Sequence, residues 1–168
     1  MSKAMEEALS VQLNHEFASG YLYLSMAAYL SAAHLPGAAR WMRLQAQEEV
    51  GHAMKLYDFV DNRGASMTLR GLDDPPARWE SPLAAFEAAL AHERVMTERL
   101  NDLIDLAMTE RDHASHNLLQ WFIDEQVEEE ATLDTIVRRL ALIGSDGSGL
   151  FLIDTELGKR GDLSAPPA

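Results

Sequence analysis

The sequence contains no cysteine. This absence excludes disulfide bonds, thiolate nucleophiles, iron–sulfur clusters and cysteine-ligated zinc sites. Any bound metal must therefore be held by oxygen and nitrogen atoms.

Positive charge is also scarce, because 14 lysine and arginine residues stand against 27 aspartate and glutamate residues, for a net charge of −13. Phosphate binding needs clustered basic residues, so this balance argues against nucleic acid as a direct partner and favours cations as ligands. No stretch approaches the roughly 20 apolar residues of a membrane span. The N-terminal sequence MSKAMEEALS also lacks the basic and apolar regions of a secretion signal. We therefore expect a cytoplasmic protein with no membrane partner.

Residues that break helices are confined to a few places, such as HLPG at 34–37, GSDGSG at 144–149 and a long stretch around DDPP. The residues between them favour helix. We expect one domain over residues 1–160 and a flexible tail at 161–168. The predicted helices span about 4–33, 36–63, 81–108, 113–143 and 149–158.

The lengths of the connections predict how these helices pack. The short joints after the first and third helices predict antiparallel hairpins, whereas the connection between the second and third is nearly twenty residues long. A loop of that length can cross the whole bundle. We therefore predict an all-α four-helix bundle in an up-down-down-up arrangement, with one long crossover and a short fifth helix at its C-terminal end.

Each of the four long helices has an apolar core-facing stripe that is interrupted near its middle by polar residues. A lone buried carboxylate loses several kcal/mol of hydration, so it must take up a proton or find a partner. Four such interruptions at one level favour a pair of metal ions in the bundle core. The interrupting residues are Glu16 in the first helix, Glu49 and His52 in the second, Glu93 in the third, and Gln126 and Glu129 in the fourth.

Other interpretations of these residues compete with a metal site. A single Glu-x-x-His pattern is usually a solvated pair, and a stripe that is misread by one residue would expose its glutamate. The run EEE at 128–130 resembles a solvated charge run, and Tyr23 reads as an ordinary core residue bonded to a carboxylate. The coincidence of four interruptions favours the metal site over these alternatives. The remaining histidines, which we expect at the surface or in loops, are His15, His34, His92, His113 and His116.

The sequence resembles the bacterial non-haem ferritins over nearly its whole length. The resemblance is carried by LNHEFASGYLY, QEEVGHAMKL, HERVMTERLNDL, NLLQWFIDEQVEEE and GLFLIDTEL, in order and at the family's spacing. It implies a shell of 24 subunits that oxidises Fe(II) with dioxygen or peroxide and stores a ferric mineral inside. It also implies that Glu16, Glu49 and His52 bind the first iron, that Glu49, Glu93 and Glu129 bind the second, and that Gln126 and Tyr23 lie beside them.

Two departures from related families are informative. The haem-carrying bacterioferritins have methionine directly after the glutamate of Glu-x-x-His, where this sequence has Val50. That difference argues against haem between subunits. Animal ferritins line their threefold channel with acids at positions where this sequence has His116 and Leu119, so the resemblance does not define the path by which iron enters.

A third cation site is predicted beside the pair, from Glu48, Glu125 and Glu128, with Glu129 shared. Each of the three acids directly precedes a residue of the core-facing stripes, so it points about 100° further around its helix. Bacterial ferritins, which the sequence resembles, have such a site at the matching positions. The alternative is a solvated acidic helix face.

Two other functions are compatible with the stripes. One is a di-iron oxidase or peroxidase with the same bundle that stores nothing, and the other is a structural bundle with accidental buried acids. The segment GLFLIDTEL favours storage, because in the ferritins this fifth helix packs around a symmetry axis of the shell. Mini-ferritins that bind DNA fit less well, since their fifth helix usually lies between the second and third.

Overall fold

The structure, a computed structural model, describes residues 1–161. The tail predicted at 161–168 lies, apart from Gly161, outside the described residues. Five helices form over the described range, and no strand forms there. None of these helices is long and apolar enough to cross a membrane. The helices are α1 (Lys3–Ala32), α2 (Pro36–Asn62), α3 (Pro82–Glu110), α4 (His113–Ile143) and α5 (Gly147–Leu157).

The long connection between α2 and α3 runs along α1 from one end of the bundle to the other. Near its start, the backbone oxygen of Thr68 accepts a hydrogen bond from Asn14 at 2.9 Å. Further on, Ser25 donates to the backbone oxygen of Pro76, and Trp79 packs against Tyr29 with 5.4 Å between ring centroids. Because the chain returns to the far end before α3 begins, α2 and α3 run in the same direction. The predicted all-α bundle with an up-down-down-up arrangement and one crossover is confirmed.

Local capping explains where the helix ends differ from the predicted ones. The fifth helix begins at Gly147 rather than about residue 149, because the carboxylate of Asp146 accepts hydrogen bonds from the backbone N–H groups of Ser148 and Gly149. The third helix continues to Glu110 and ends where Arg111 adopts a left-handed conformation, with φ of 56°.

The interior of the bundle consists of two apolar clusters with a polar layer between them. One cluster includes Leu30, Met42 and Phe86. The other includes Leu9 and Leu119, and Leu119 is fully buried there. The carboxylates and imidazole predicted from the stripes occupy the layer in between, where they are shielded from water on both sides.

The fifth helix packs on its own bundle through one face. Ile153 is buried in the first apolar cluster, and Asp154 accepts a hydrogen bond from the backbone N–H of Ala38 at 2.8 Å. Asp154 thereby caps the N-terminus of α2, where the cap residue Leu35 contributes no side-chain hydrogen bond. One face of α5 therefore packs within its own chain.

Gly37 makes this docking of α5 possible. A Cβ atom at Gly37 would lie 1.8 Å from the backbone oxygen of Asp154, which no side-chain adjustment can relieve. We expect Gly37→Ala to displace α5 and to lower the free energy of unfolding by roughly 1–3 kcal/mol. Denaturant unfolding and limited proteolysis of the C-terminal segment would measure both effects.

Gly51 provides the matched control, because it lies within the same helix and a Cβ atom there would meet nothing within 4 Å. Gly51→Ala should stabilise the protein by up to about 1 kcal/mol, since alanine favours helix over glycine. Equal stability of the two variants would show that α5 does not need this close approach.

Candidate metal centre

The polar layer brings together side chains from all four long helices. Glu16, Glu49 and His52 form one group in which one ligand atom from each residue lies within 4.8 Å of the others. Glu49, Glu93 and Glu129 form a second group that meets the same criterion. Glu49 belongs to both groups, so its carboxylate lies where it could bridge two cations.

Position along each helix explains this convergence. Glu49 and His52 are three residues apart on α2 and therefore share one helix face. The imidazole Nδ1 of His52 lies 3.8 Å from Glu49 and 3.9 Å from Glu16. These separations leave space for an ion between the three side chains, since cation–ligand distances are near 2 Å.

Amide side chains orient the carboxylates of the first group. Gln12 donates to Glu16 Oε1 at 2.8 Å. Gln45 donates through Nε2 to Glu49 Oε1 at 3.1 Å and to Glu129 Oε1 at 2.7 Å, so it connects the two groups. The Oε2 atom of Glu129 is enclosed and has no hydrogen-bond partner among the described residues. A buried carboxylate oxygen without a donor is in a position to bind a cation.

The second group is supported by Tyr23 and Gln126. The Tyr23 hydroxyl donates to Glu93 Oε1, and Gln126 donates through Nε2 to Glu93 Oε2 and to the backbone oxygen of Glu93, both at 3.1 Å. Both residues therefore lie beside the site. The amide nitrogen of Gln126 orients the Glu93 carboxylate, and a direct bond from Gln126 to an ion stays a prediction.

Burial makes these carboxyl groups weak acids in the absence of a cation. It raises the pKa of Glu16 to about 7 and, together with the charge of Glu93, that of Glu129 to about 9. Burial and the neighbouring carboxylates raise the pKa of Glu49 well above its usual range, and burial also raises that of Glu93. Without a cation, the polar layer therefore retains protons at neutral pH. A dication that binds there must displace them, so its affinity should rise with pH.

The imidazole of His52 is held neutral by its surroundings. Burial, followed by the charge of Lys55, lowers its pKa to about 4. Its ring packs edge-on against Trp121 and Phe122, with centroids at 5.4 Å and 5.7 Å. A neutral imidazole keeps a lone pair for a metal, so His52 is ready to act as a ligand at physiological pH.

The acids predicted to form a third site line one pocket next to the pair. Glu48, Glu125, Glu128 and Glu129 all border this pocket, whose volume is about 110 Å³. Burial and the charges of Glu128 and Glu48 raise the pKa of Glu125, which indicates repulsion between them. The pocket also contains Arg160, which the sequence analysis did not identify, and which forms an ion pair with Glu48.

One of the remaining histidines lies deeper than expected. His34 and His113 are exposed, whereas His15, His92 and His116 are partly buried. The ring of His92 lies edge-on to Tyr23, with centroids 6.4 Å apart, and its Nε2 is 2.7 Å from the hydroxyl of Ser19. Its surface assignment was wrong because α3 packs against α1 on this face, next to the stripe that contains Glu93.

Comparison with known proteins places this geometry in context. A family defined as the ferritin-like domain matches residues 6–143. A bacterial non-heme ferritin of Staphylococcus aureus (strain MRSA252) is 38% identical over 160 residues, which cover 95% of this chain and 96% of the relative. A bacterial non-heme ferritin of Staphylococcus haemolyticus (strain JCSC1435) has the same identity and coverage.

Solved structures give the same result. The open pore ferritin of the hyperthermophilic archaeon Archaeoglobus fulgidus superposes with a TM-score of 0.95 at 49% identity. The superposition covers 96% of this chain and 99% of the archaeal one.

Proposed function

Since this chain belongs to the ferritin family, we propose that it stores iron: it oxidises Fe(II) within each subunit and holds ferric mineral inside a shell of 24 copies. The observation that carries this proposal is the pair of buried ligand groups that share Glu49. The ferritin family binds iron, and these groups supply oxygen-rich ligands from one chain.

The two Fe(II) substrate ions would be held by different ligands. Glu16, Glu49 and His52 would bind the first ion, and Glu49, Glu93 and Glu129 the second. Two dications offset the charge of four carboxylates, which a single ion cannot do. With only one imidazole, the pair of sites is rich in hard oxygen ligands, which suits iron that passes through rather than iron held permanently.

The reaction needs two electrons, and each Fe(II) supplies one. Dioxygen and two protons would give two Fe(III) and hydrogen peroxide, whereas hydrogen peroxide and two protons would give two Fe(III) and two water molecules. Paired oxidation avoids the release of a one-electron radical product. Hydrogen-bond donors would keep the carboxylates oriented while the charge on iron increases. These donors are Gln12, Gln45, Gln126 and Tyr23.

The pocket of Glu48, Glu125 and Glu128 is proposed as a third cation site beside the pair. Its four carboxylates include Glu129, whose Oε1 accepts from Gln45 and whose Oε2 has no donor among the described residues. A cation there would relieve the repulsion that raises the pKa of Glu125. The acidic surface of the chain as a whole would attract Fe(II) toward these sites.

Aerobic addition of Fe(II) to the iron-free protein, followed by size-exclusion chromatography with iron analysis, tests this function. We expect iron in large excess over the subunits to elute with protein at about 450 kDa, the size of 24 copies of an 18.7 kDa chain. Rapid oxidation by a small oligomer that retains no iron would instead identify a non-storing oxidase or peroxidase. Absence of Fe(II) oxidation would refute the proposed activity.

A further inference from the structure

The segment that follows α5 reaches back into the acidic pocket. The guanidinium of Arg160 lies over the ring of Trp41, 4.7 Å from its centroid, and donates to Glu48 Oε2. The backbone oxygen of Arg160 accepts a hydrogen bond from Arg40 at 2.9 Å. Arg160 is therefore held at both its side chain and its backbone.

The pocket already contains a cation in the form of this guanidinium. The charged residues that border it are Glu48, Glu125, Glu128, Glu129 and Arg160. Among the described residues that border the pocket, Arg160 is the single basic one, so it is a counter-ion for these acids within the pocket. Its partner Glu48 is also one of the acids proposed to bind a third metal cation.

Arg160 also connects the pocket to the two ligand groups through Gln45. Its Nη1 atom donates to Gln45 Oε1 at 3.0 Å, while Gln45 Nε2 donates to Glu49 and Glu129. A guanidinium can only donate hydrogen bonds, and the Oε1 atoms of Glu49 and Glu129 accept from Gln45 Nε2. The contact with Arg160 therefore keeps the acceptor end of the amide away from the carboxylates and its donor end toward them.

We propose that Arg160 is the resident counter-ion of this pocket and that a third divalent cation binds by displacing it from Glu48. This inference rests on the proposed function, because it assumes that cations enter the neighbouring pair of sites. A guanidinium and a dication cannot both neutralise Glu48 at close range, since like charges repel. Arg160 thus sets the affinity of the third site below that of the pair, so that the pair fills first.

Binding of Co(II) to the iron-free assembled protein tests the proposal without any oxidation step. Isothermal titration calorimetry would compare wild type with Arg160→Gln, and equilibrium dialysis would count the bound ions. We expect two tighter ions per subunit in both proteins, and a third ion that binds about tenfold more tightly in Arg160→Gln. Arg160→Lys keeps a cation and should bind the third ion much as wild type does.

Two further variants control for structural effects and locate the third ion. Arg139→Gln also removes an ion pair to the C-terminal region, the one with Glu156. Because Arg139 lies outside the pocket, this variant should bind the third ion with the affinity of wild type. Glu48→Gln with Glu125→Gln should lose the third ion alone. Unchanged or weaker third binding in Arg160→Gln, with the two tighter ions retained, would overturn the role of Arg160. If wild type itself binds no pair of tighter ions, the proposed function would be overturned instead.

Discussion

Glu49→Gln should abolish rapid Fe(II) oxidation and leave the bundle folded. Glu49 is the one carboxylate shared by both ligand groups, so its loss removes a ligand from each ion. Substitution of groups that only support metal ligands lowers activity about 10- to 100-fold, so loss of a shared ligand should reduce the rate by at least about 100-fold. Stopped-flow absorbance after mixing with Fe(II) and air would measure the rate.

The folded state should tolerate this change because the iron-free protein already disfavours a charge at Glu49. Burial and three neighbouring carboxylates raise the pKa of Glu49, which favours its neutral form. The glutamine amide is also neutral and has a similar shape, so it should be accepted in the same place. Thermal melting of the iron-free variant should therefore match or exceed that of wild type. Asp58→Asn, on an exposed position of the same helix, is the control and should leave the rate unchanged. A wild-type rate in Glu49→Gln would refute the shared-ligand assignment.

Periodicity explains why the bundle and the polar layer could be predicted from the sequence. Residues three and four apart share a helix face, so one apolar stripe per helix identifies the side that faces the core. Glu16, Glu49 and Glu93 interrupt those stripes, and all three are buried in the structure. Helices of similar length that pack side by side bring the interruptions to one level, which is why local pattern and tertiary position agree here.

Contacts that do not follow from helix periodicity could not be predicted in this way. Arg160 lies beyond α5, and its approach to Glu48 depends on how α5 docks. That docking depends in turn on Gly37, whose lack of a side chain allows close contact, and on the Asp154 cap. Neither Gly37 nor Asp154 belongs to a repeating pattern. The depth of His92 was missed for a related reason, because a single stripe per helix ignores the second face that α3 turns toward α1.

The fifth helix also presents an outer apolar face, which the packing within one chain leaves uncovered. Ile153 is buried, but Phe151 is 69% exposed and Leu152 is 67% exposed. Adjacent exposed apolar residues of this size are typical of contacts between protein chains. In a closed symmetric shell each copy would contribute the same face, so one substitution would alter every equivalent contact.

Phe151→Gln with Leu152→Gln should therefore convert the proposed shell into small oligomers or lower its resistance to heat and dilution. Glutamine favours helix, so α5 should still form, and Ile153, Asp154 and Arg160 would keep their contacts within the chain. The bundle and its ligand groups should remain intact, and Fe(II) oxidation per subunit should persist while iron is no longer retained. Size-exclusion chromatography at several protein concentrations would measure the assembly, with Thr155→Gln as a control on the same helix. A double variant that forms shells as stable as wild type, with iron retained, would show that contacts elsewhere on the bundle hold the subunits together.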